Sequence, residues 1–443
     1  MIDIRLLREN PQVFYESMKK RFQDYTIIDR FLEIDSRWRE NTREINTLRS
    51  QRNSISLQIS ARVKSGEDTA NLKDEVRSIN SKLDEIEKDN VSIEEERVKI
   101  VNRIPNILEN TVPVNKGDEN NAFVRGNGIA RVRKEDIEEY LKSTNGTGKY
   151  VEVKETFSHV DTMEKLNLID LERATKISGA RFYFTKNRLL KLELALINYG
   201  VDFLSERGFS VIEPPPMISS EVVWKATDQA TFDDAIYKIE GENLCLISTS
   251  EHPIAAMLMN EILEKNELPI KVGGFSPCYR KEAGAHGKDT KGIFRVHYFK
   301  KIEQFIFCKP EDSWDFMDEL TENTEKILQS FEIPYRVVNV CSGELGNLAA
   351  KKYDIEGWFP NQGKFRELAS ISNDLDYQAR SLNIRYRNPD GNITIHTLNG
   401  TAIPTERMMV AIMENFTENG VIHIPKVLIP YTGFDTIEVQ GED

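Results

Sequence analysis

Two long stretches near the start of the chain repeat apolar residues in alternating steps of three and four. Seven of ten stripe positions are apolar in the first stretch: Phe31, Ile34, Trp38, Asn41, Ile45, Leu48, Arg52, Ile55, Ile59 and Arg62. Seven of nine are apolar in the second: Leu72, Val76, Ile79, Leu83, Ile86, Asn90, Ile93, Arg97 and Ile100. This spacing is typical of a coiled coil. The polar segment 64–71 between them contains Gly66, so we expect a turn and an antiparallel helical hairpin.

The hydrophobic pattern changes after a segment rich in proline, glycine and asparagine. Residues 181–206 predict an amphipathic helix, and short β-rich runs at 244–247, 294–299 and 305–308 alternate with turns. Few helical patterns separate these runs, which favours an antiparallel sheet over a regular βαβ series. We therefore predict an α+β chain with three parts. They are an N-terminal helical arm domain at 1–110 (coiled coil about 30–103), a linker and connecting segment at 111–150, and a sheet domain flanked by helices at 151–443.

Composition excludes several classes of protein. No run approaches the ~18–20 apolar residues that a membrane span needs, and no apolar segment follows a basic start, so we expect a cytoplasmic chain without a secretory signal. The four cysteines stand alone, without the paired spacing of a zinc site. We expect reduced thiols and no zinc.

The charge is distributed unevenly along the predicted hairpin. The whole chain carries a formal charge of −13, which argues against a generic nucleic-acid binder. Residues 30–64, however, hold eight basic and four acidic residues, most of the bases being arginine. Arginine suits phosphate contacts because its fork binds two oxygens at once. The alternative is a solvated hairpin whose basic and acidic halves attract each other.

Two further segments carry candidate chemistry. A predicted hairpin places Arg280 and Glu282 on one strand face, opposite Phe299, where a guanidinium and a ring could hold a nucleotide. The alternative is an exposed cross-strand pair beside a core phenylalanine. Arg407 follows Pro404 at a predicted helix start, which favours an anion site. We expect Glu406 to face away, because adjacent helical side chains diverge by ~100°. The chain has no P-loop and no G-x-G-x-x-G.

Together these segments resemble the three signature motifs of class II aminoacyl-tRNA synthetases. The strand with Pro215 is similar to motif 1, the hairpin with Arg280 to motif 2 and the helix with Arg407 to motif 3. More narrowly, the chain resembles the seryl-tRNA synthetase family in its archaeal and eukaryotic form. The runs that carry this resemblance are 177–183, 249–256, 280–295, 367–373 and 396–401.

The resemblance implies an ATP-dependent enzyme that activates serine and transfers it to the 3′ end of tRNA(Ser). The catalytic residues implied are Arg280, Glu303 and Arg407. The serine-binding residues implied are Thr249, Ser250, Glu251, Arg280, Glu303, Asn399 and Thr401. The ATP-binding residues implied are Arg280, Lys281, Glu282, Val296, Phe299, Glu367, Leu368, Ala369, Ser370 and Arg407. Glu367 and Ser370 would also hold Mg²⁺ through the nucleotide.

The resemblance also implies partners: tRNA(Ser) on the basic helix of the arm, a second copy of the chain, and no membrane. It leaves open whether tRNA(Sec) is a second acceptor. Two other functions remain: a paralogue that activates an amino acid for a carrier protein or small acceptor, and a non-catalytic coiled-coil adaptor. Loss of the arm would favour the first, and loss of Arg280, Glu303 or Arg407 would favour the second; the sequence retains all of them.

Overall fold

The computed structural model describes residues 1–228, 232–282 and 291–438. Two compact units divide the chain. The first spans Ile2–Pro105, and the second contains Met1 together with the chain from Asn106 onward. The boundary predicted at residue 110 lies slightly after this division.

The first unit is helical. Its helices are α1 (Ile4–Glu9), α2 (Pro11–Lys20), α3 (Ile27–Ser65) and α4 (Ala70–Val101). Helix α3 ends at Gly66, whose φ of +75° is the left-handed conformation that glycine adopts without a Cβ penalty. Helices α3 and α4 share a buried apolar seam of Ile45, Leu48, Ile55, Ile79 and Leu83. The predicted helical hairpin is confirmed.

One buried carboxylate joins three elements at the base of this hairpin. Asp35 on α3 has a side chain that is only 1% exposed. Its oxygens accept hydrogen bonds from Arg8 Nε at 2.7 Å, Arg97 Nε at 2.8 Å and Arg39 Nε at 3.1 Å. The guanidinium of Arg97 also lies 4.6 Å from the centre of the Trp38 ring. Asp35 therefore ties α1 and α4 to α3.

The second unit combines helices with several sheets. Its helices are α5 (Ile137–Ser143), α6 (His159–Lys165), α7 (Leu171–Ser178), α8 (Asn187–Ser205), α9 (Ser220–Ala226), α10 (Glu251–Ala256), α11 (Ser313–Ser330), α12 (Tyr377–Leu382), α13 (Thr405–Phe416) and α14 (Ile429–Thr432). Its strands are β1 (Ala122–Asn127), β2 (Ile129–Arg133), β3 (Lys149–Val153), β4 (Ile169–Asp170), β5 (Phe184–Thr185), β6 (Ser210–Ile212), β7 (Met217–Ser219), β8 (Leu244–Leu246), β9 (Ile262–Leu263), β10 (Ile270–Tyr279), β11 (Tyr298–Cys308), β12 (Tyr335–Asn339), β13 (Lys351–Phe359), β14 (Lys364–Asn373), β15 (Arg385–Tyr386), β16 (Ile393–Thr394), β17 (His396–Pro404), β18 (Thr417–Glu418), β19 (Val421–His423) and β20 (Thr436–Ile437).

An eight-stranded sheet forms the centre of this unit, in the order β1-β12-β13-β14-β17-β11-β10-β6. Every neighbouring pair is antiparallel except β10 and β6, which run parallel. Helices α8, α11 and α13 supply much of the apolar core against it. Gly200 lets α8 approach closely, because a Cβ there would lie 2.9 Å from Ile403 Cδ1. The predicted antiparallel sheet flanked by helices is confirmed.

The segment 111–150, interpreted from the sequence as a linker, has regular structure. Strand β1 pairs with β12 at the edge of the central sheet, and β2 and β3 form a parallel pair. Tyr140 on α5 packs edge-on against Trp358. These strands are short, and β1 and β3 are largely exposed, so their hydrophobic pattern is weak.

Two of the features predicted from composition were the lack of a membrane span and the reduced state of the cysteines. Within the described residues, no helix is both long enough and apolar enough to cross a bilayer. The four cysteines, Cys245, Cys278, Cys308 and Cys341, are all buried and free.

Candidate active site

The centre of the site is the antiparallel hairpin of β10 and β11. Its register places Ser276 opposite Lys301 and Gly274 opposite Glu303. Successive side chains of a strand point to opposite faces, so Phe299, Lys301 and Glu303 share one face of β11. The sequence predicts separate β runs at 294–299 and 305–308, whereas the structure has one strand, β11, which begins at Tyr298 and contains Phe299.

The predicted placement of Arg280 and Glu282 on a common strand face is wrong. Strand β10 ends at Tyr279, and Glu282 has a left-handed backbone with a φ of +50°. Period-two alternation therefore does not extend to this pair. Glu282 instead pairs with Arg295, Oε2 to Nη1, at 2.8 Å. Residues 283–290 of the predicted loop lie outside the described residues.

A cavity nevertheless collects many of the predicted side chains. Its lining residues are Arg280, Glu282, Phe294, Arg295, Val296, Phe299, Lys301, Glu367, Leu368, Thr401, Pro404, Glu406 and Arg407. The Arg280 guanidinium lies 5.0 Å from the centre of the Phe299 ring, and its Nε donates to the Ser248 carbonyl at 3.3 Å. This end offers a cation and an apolar ring surface, the two features expected to hold a nucleotide.

Carboxylates and a hydroxyl form the second end of the site. Thr249 Oγ1 donates to Glu303 Oε2 at 3.4 Å, and both residues are buried. Burial, together with the nearby Glu303, raises the pKa of Glu251 to about 7. Gln378 Nε2 donates to Glu251 Oε1 at 2.8 Å. Thr249, Glu251 and Glu303 thus present acceptors suited to an ammonium and a hydroxyl.

Gly274 sets how closely α10 lies on the hairpin. A Cβ at this position would lie 2.7 Å from Ser250 Oγ and would also press on Ile254. Ser250 Oγ donates to the Gly274 carbonyl at 3.2 Å. Ser250 is therefore engaged with strand backbone, while Glu251, one residue on, accepts a hydrogen bond from Gln378.

The third part of the site combines Arg407 at the start of α13 with Glu367 on β14. Arg407 Nη1 lies 3.4 Å from Glu367 Oε1 and donates to the Glu367 carbonyl at 2.9 Å. Ser370 Oγ donates to Glu367 Oε1 at 3.1 Å. Carboxylate and hydroxyl oxygens are the donors that Mg²⁺ prefers, so this pair fits the ion. Among the described residues, no cluster of three or more His, Cys, Asp or Glu side chains is arranged for a metal.

Some predicted residues lie away from the cavity. The ammonium of Lys281 is 5.8 Å from the Tyr237 ring, and Ala369 is buried in the apolar core. Asn399 Nδ2 donates to Asp374 Oδ2 at 3.1 Å. The prediction for Glu406 is wrong in the opposite sense. Glu406 was expected to face away from the site, but it lines the cavity.

The sequence analysis did not assign Phe294, Arg295, Lys301 or Pro404 to the site, although all four line the cavity, and it also missed Gln378. Lys301 lines the cavity and forms an ion pair with Glu303. Its spacing, midway between Phe299 and Glu303 at period two, could have identified it. Gln378 is buried and also accepts from Thr397 Oγ1 at 2.9 Å. No local pattern indicates its role, since Glu251 is 127 positions away in the sequence.

Comparison with known families agrees with this geometry. Residues 236–416 match the family model described as tRNA synthetase class II core domain (G, H, P, S and T), and residues 1–108 match the Seryl-tRNA synthetase N-terminal domain. The sheet and its cavity therefore define a class II aminoacyl-tRNA synthetase core. A curated Serine--tRNA ligase of Picrophilus torridus is 60% identical over 100% of both chains. The chain belongs to the seryl-tRNA synthetase family.

Solved structures show the same relationship. Seryl-tRNA synthetase from Pyrococcus horikoshii, complexed with ATP, superposes with a TM-score of 0.94 at 45% identity, covering 99% of this chain and 100% of that one. The cytoplasmic Serine-tRNA ligase of Naegleria fowleri, in complex with AMP, has a TM-score of 0.83 at 38% identity, covering 100% and 99%. The predicted α+β fold and family are confirmed.

Proposed function

We propose that this chain is an ATP-dependent serine–tRNA ligase, which activates serine as seryl-adenylate and transfers it to the 3′ end of tRNA(Ser). The observation that carries the proposal is one continuous strand face. It presents a ring surface at Phe299 beside Arg280, and a carboxylate at Glu303 beside Thr249. Relatives named Serine--tRNA ligase and structures with ATP or AMP bound support it. The proposal places the enzyme in the cytoplasm with its tRNA.

In the first step a serine carboxylate oxygen bonds to the α-phosphorus of ATP, and the bond to the bridging oxygen breaks as pyrophosphate leaves. No protein nucleophile is needed, because holding the two reactants in line supplies much of the rate. Arg280 would hold the α-phosphate, Phe299 the adenine and Arg407 the γ-phosphate. Cations fixed where negative charge develops stabilise the transition state.

Mg²⁺ fits the oxygen donors of Glu367 and Ser370. When bound with ATP it would neutralise phosphate charge and orient the leaving pyrophosphate. Arg407, which contacts Glu367, then aligns the γ-phosphate beside these donors.

Serine selection follows from the acceptors around Glu303. Alanine would leave the buried Glu303 and Thr249 without the substrate hydroxyl, and an unpaired buried polar group is costly. Threonine differs from serine by one methyl group, so its exclusion depends on the space beside Thr401. We therefore expect strong discrimination against alanine and weaker discrimination against threonine.

The decisive assay is charging of total tRNA with labelled serine, ATP and Mg²⁺, with alanine and threonine as controls. We expect efficient charging with serine, none with alanine and much less with threonine, and a separate tRNA(Sec) transcript tests the second acceptor. A folded sample that forms seryl-adenylate yet charges no tRNA would favour a carrier-protein paralogue. A folded sample that activates no amino acid would favour an adaptor.

Helix α3 is the proposed tRNA-binding surface. Arg30 and Arg49 are paired across the hairpin with Glu96 and Glu87. Arg43 and Arg52 form no ion pair with any of the described residues. From residue 45 to the end of α3 the sequence contains no acidic residue and many serines and asparagines. Uncommitted arginines among small polar side chains suit RNA phosphate and sugar groups.

We predict that changing both Arg43→Gln and Arg52→Gln weakens tRNA binding without affecting serine activation. The KM for tRNA should rise about 10-fold. The slope of the logarithm of tRNA affinity against the logarithm of salt concentration should become shallower by about one for each cation removed. Serine-dependent ATP–pyrophosphate exchange should not change. Arg77→Gln on α4, which removes an exposed arginine paired with Asp74, is the matched control. Equal effects of the two changes would exclude α3 as the binding surface.

The proposal includes a homodimer. Leu190 and Leu194 lie one helical turn apart on α8 and are 41% and 49% exposed. Strand β6, next to α8 in the sequence, lies at an end of the central sheet. Exposed leucines on a helix that contacts an edge strand favour association with a second copy.

A further inference from the structure

Lys301 lies between the two ends of the active site. It is two residues from Phe299 and two from Glu303 on the same face of β11, which corresponds to ~7 Å in each direction. The proposed reaction joins serine at the Glu303 end to the α-phosphate at the Phe299 end. Lys301 therefore lies on the part of β11 that is closest to the bond forming between the serine carboxylate and the α-phosphate.

Its ammonium is held by a substrate-binding carboxylate. Lys301 Nζ forms an ion pair with Glu303 Oε2, and the two side chains are only 9% and 2% exposed. Glu251 lies close enough to Glu303 for the negative charge of Glu303 to raise the pKa of Glu251. The pocket thus places two carboxylates near one lysine, and a buried carboxylate without a cation is strongly disfavoured.

Serine brings a cation and an anion into this pocket. Its ammonium competes with Lys301 for Glu303, and its carboxylate arrives as a new anion near Lys301. A lysine side chain has a flexible stem and a compact charge, so it can exchange one oxygen partner for another. Before serine binds, Lys301 and Glu303 pair with each other; after the exchange each of them pairs with one charged group of serine, so no charge is left without a partner.

We propose that Lys301 is a catalytic residue that serves as a stand-in for the substrate ammonium, and that serine displaces it from Glu303 toward the reacting carboxylate and α-phosphate. This inference rests on the proposed function. Lys301 transfers no proton. It stabilises the negative charge that accumulates while the oxygen–phosphorus bond forms and the bond to pyrophosphate breaks.

Two variants of Lys301 should move serine affinity in opposite directions. In Lys301→Met the competing cation is absent, so the dissociation constant for serine without ATP should equal or fall below that of the wild type. Its kcat for serine-dependent ATP–pyrophosphate exchange should fall about 100-fold. In Lys301→Arg a guanidinium can grip Glu303 with two parallel bonds, so serine should bind about 10-fold more weakly. Calorimetry and exchange kinetics give these values.

Lys300→Met is the matched control. Lys300 is the preceding residue of β11, but its ammonium pairs with Glu193 on the opposite face at 2.8 Å. We expect a lower melting temperature with unchanged serine affinity. Weaker serine binding with unchanged kcat in Lys301→Met would overturn the proposal. If that variant does not fold, unchanged or tighter serine binding in Lys301→Arg would overturn it. A wild-type chain without exchange would refute the proposed function, whereas the serine affinities test the displacement by themselves.

Discussion

Two buried acids lie on neighbouring helices, and one of them, Glu406, lines the cavity. Glu193 on α8 and Glu406 on α13 are 1% and 3% exposed. Glu406 accepts from Tyr183 Oη at 2.7 Å and from the backbone N–H of Lys300 at 3.1 Å. Its Oε2 also lies 2.7 Å from Thr405 Oγ1, which donates to the Lys300 carbonyl. Burial, with the charge of Glu193, raises the pKa of Glu406 to about 7. Glu406 thus links α13, which carries Arg407, to β11.

We predict that Glu406→Gln removes a pH-dependent part of the stability. Glu406 binds its proton more tightly folded than unfolded, where its pKa is near 4.5. Its contribution is therefore fully present below pH 4.5 and is lost as pH rises through 7. The amide can donate to Thr405 Oγ1 as a protonated acid would. Urea unfolding from pH 5 to pH 8 should show the variant gaining about 3 kcal/mol relative to the wild type. A difference that stays constant with pH would contradict this.

At the scale of secondary-structure elements, the helical hairpin has exposed and buried ion pairs that contribute unequally to its stability. Arg30–Glu96, Arg49–Glu87 and Lys82–Glu44 join the helices along their exposed sides. Such surface pairs contribute ~0–1 kcal/mol each. Asp35 is buried with three arginines, and Arg97 is itself 11% exposed. Burial opposes ionisation of Asp35, but Arg8 and Arg97 hold its pKa below the usual range.

We predict that Asp35→Asn destabilises the hairpin base by about 3 kcal/mol, because the largely buried Arg97 loses its buried partner and keeps only the more exposed Glu94. Amide hydrogen exchange of α3 and α4 in the full chain should accelerate near residues 35 and 97. Asp74→Asn, which alters an exposed pair with Arg77, should change exchange very little. Similar acceleration in both variants would mean that Asp35 contributes no more than a surface pair.

At the scale of the whole molecule, the exposed leucines of α8 carry the prediction about assembly. We expect Leu194→Glu to halve the mass measured by light scattering, because a buried unpaired carboxylate would disrupt an apolar interface. Leu57→Glu, at a leucine of α3 that is 73% exposed, should leave the mass unchanged. A wild-type chain of monomeric mass would refute the dimer directly.

Local patterns were sufficient for the features that depend on near neighbours. Steps of three and four predicted α3 and α4, and a β-rich run predicted a strand with Phe299, although that strand begins only at Tyr298. The period failed at Glu282, since a left-handed residue ends the alternation. Gln378 and the surroundings of Glu406 depend on chain segments more than 100 residues apart, and no local pattern carries that information. Segment 111–150 was missed because its strands are too short and exposed.

Gly274 has a consequence for the way this pocket can change over generations. Any side chain there meets Ser250 and Ile254, so a single substitution that moves α10, and Glu251 with it, damages packing before it can alter selectivity. Such a substitution would need compensating changes on α10 at the same time. Simultaneous changes of this kind are rare, because the effects of substitutions at contacting residues depend on one another. Adaptation of the amino-acid preference is therefore expected to proceed at Thr401, which lines the cavity, while the contact between α10 and the hairpin is inherited unchanged.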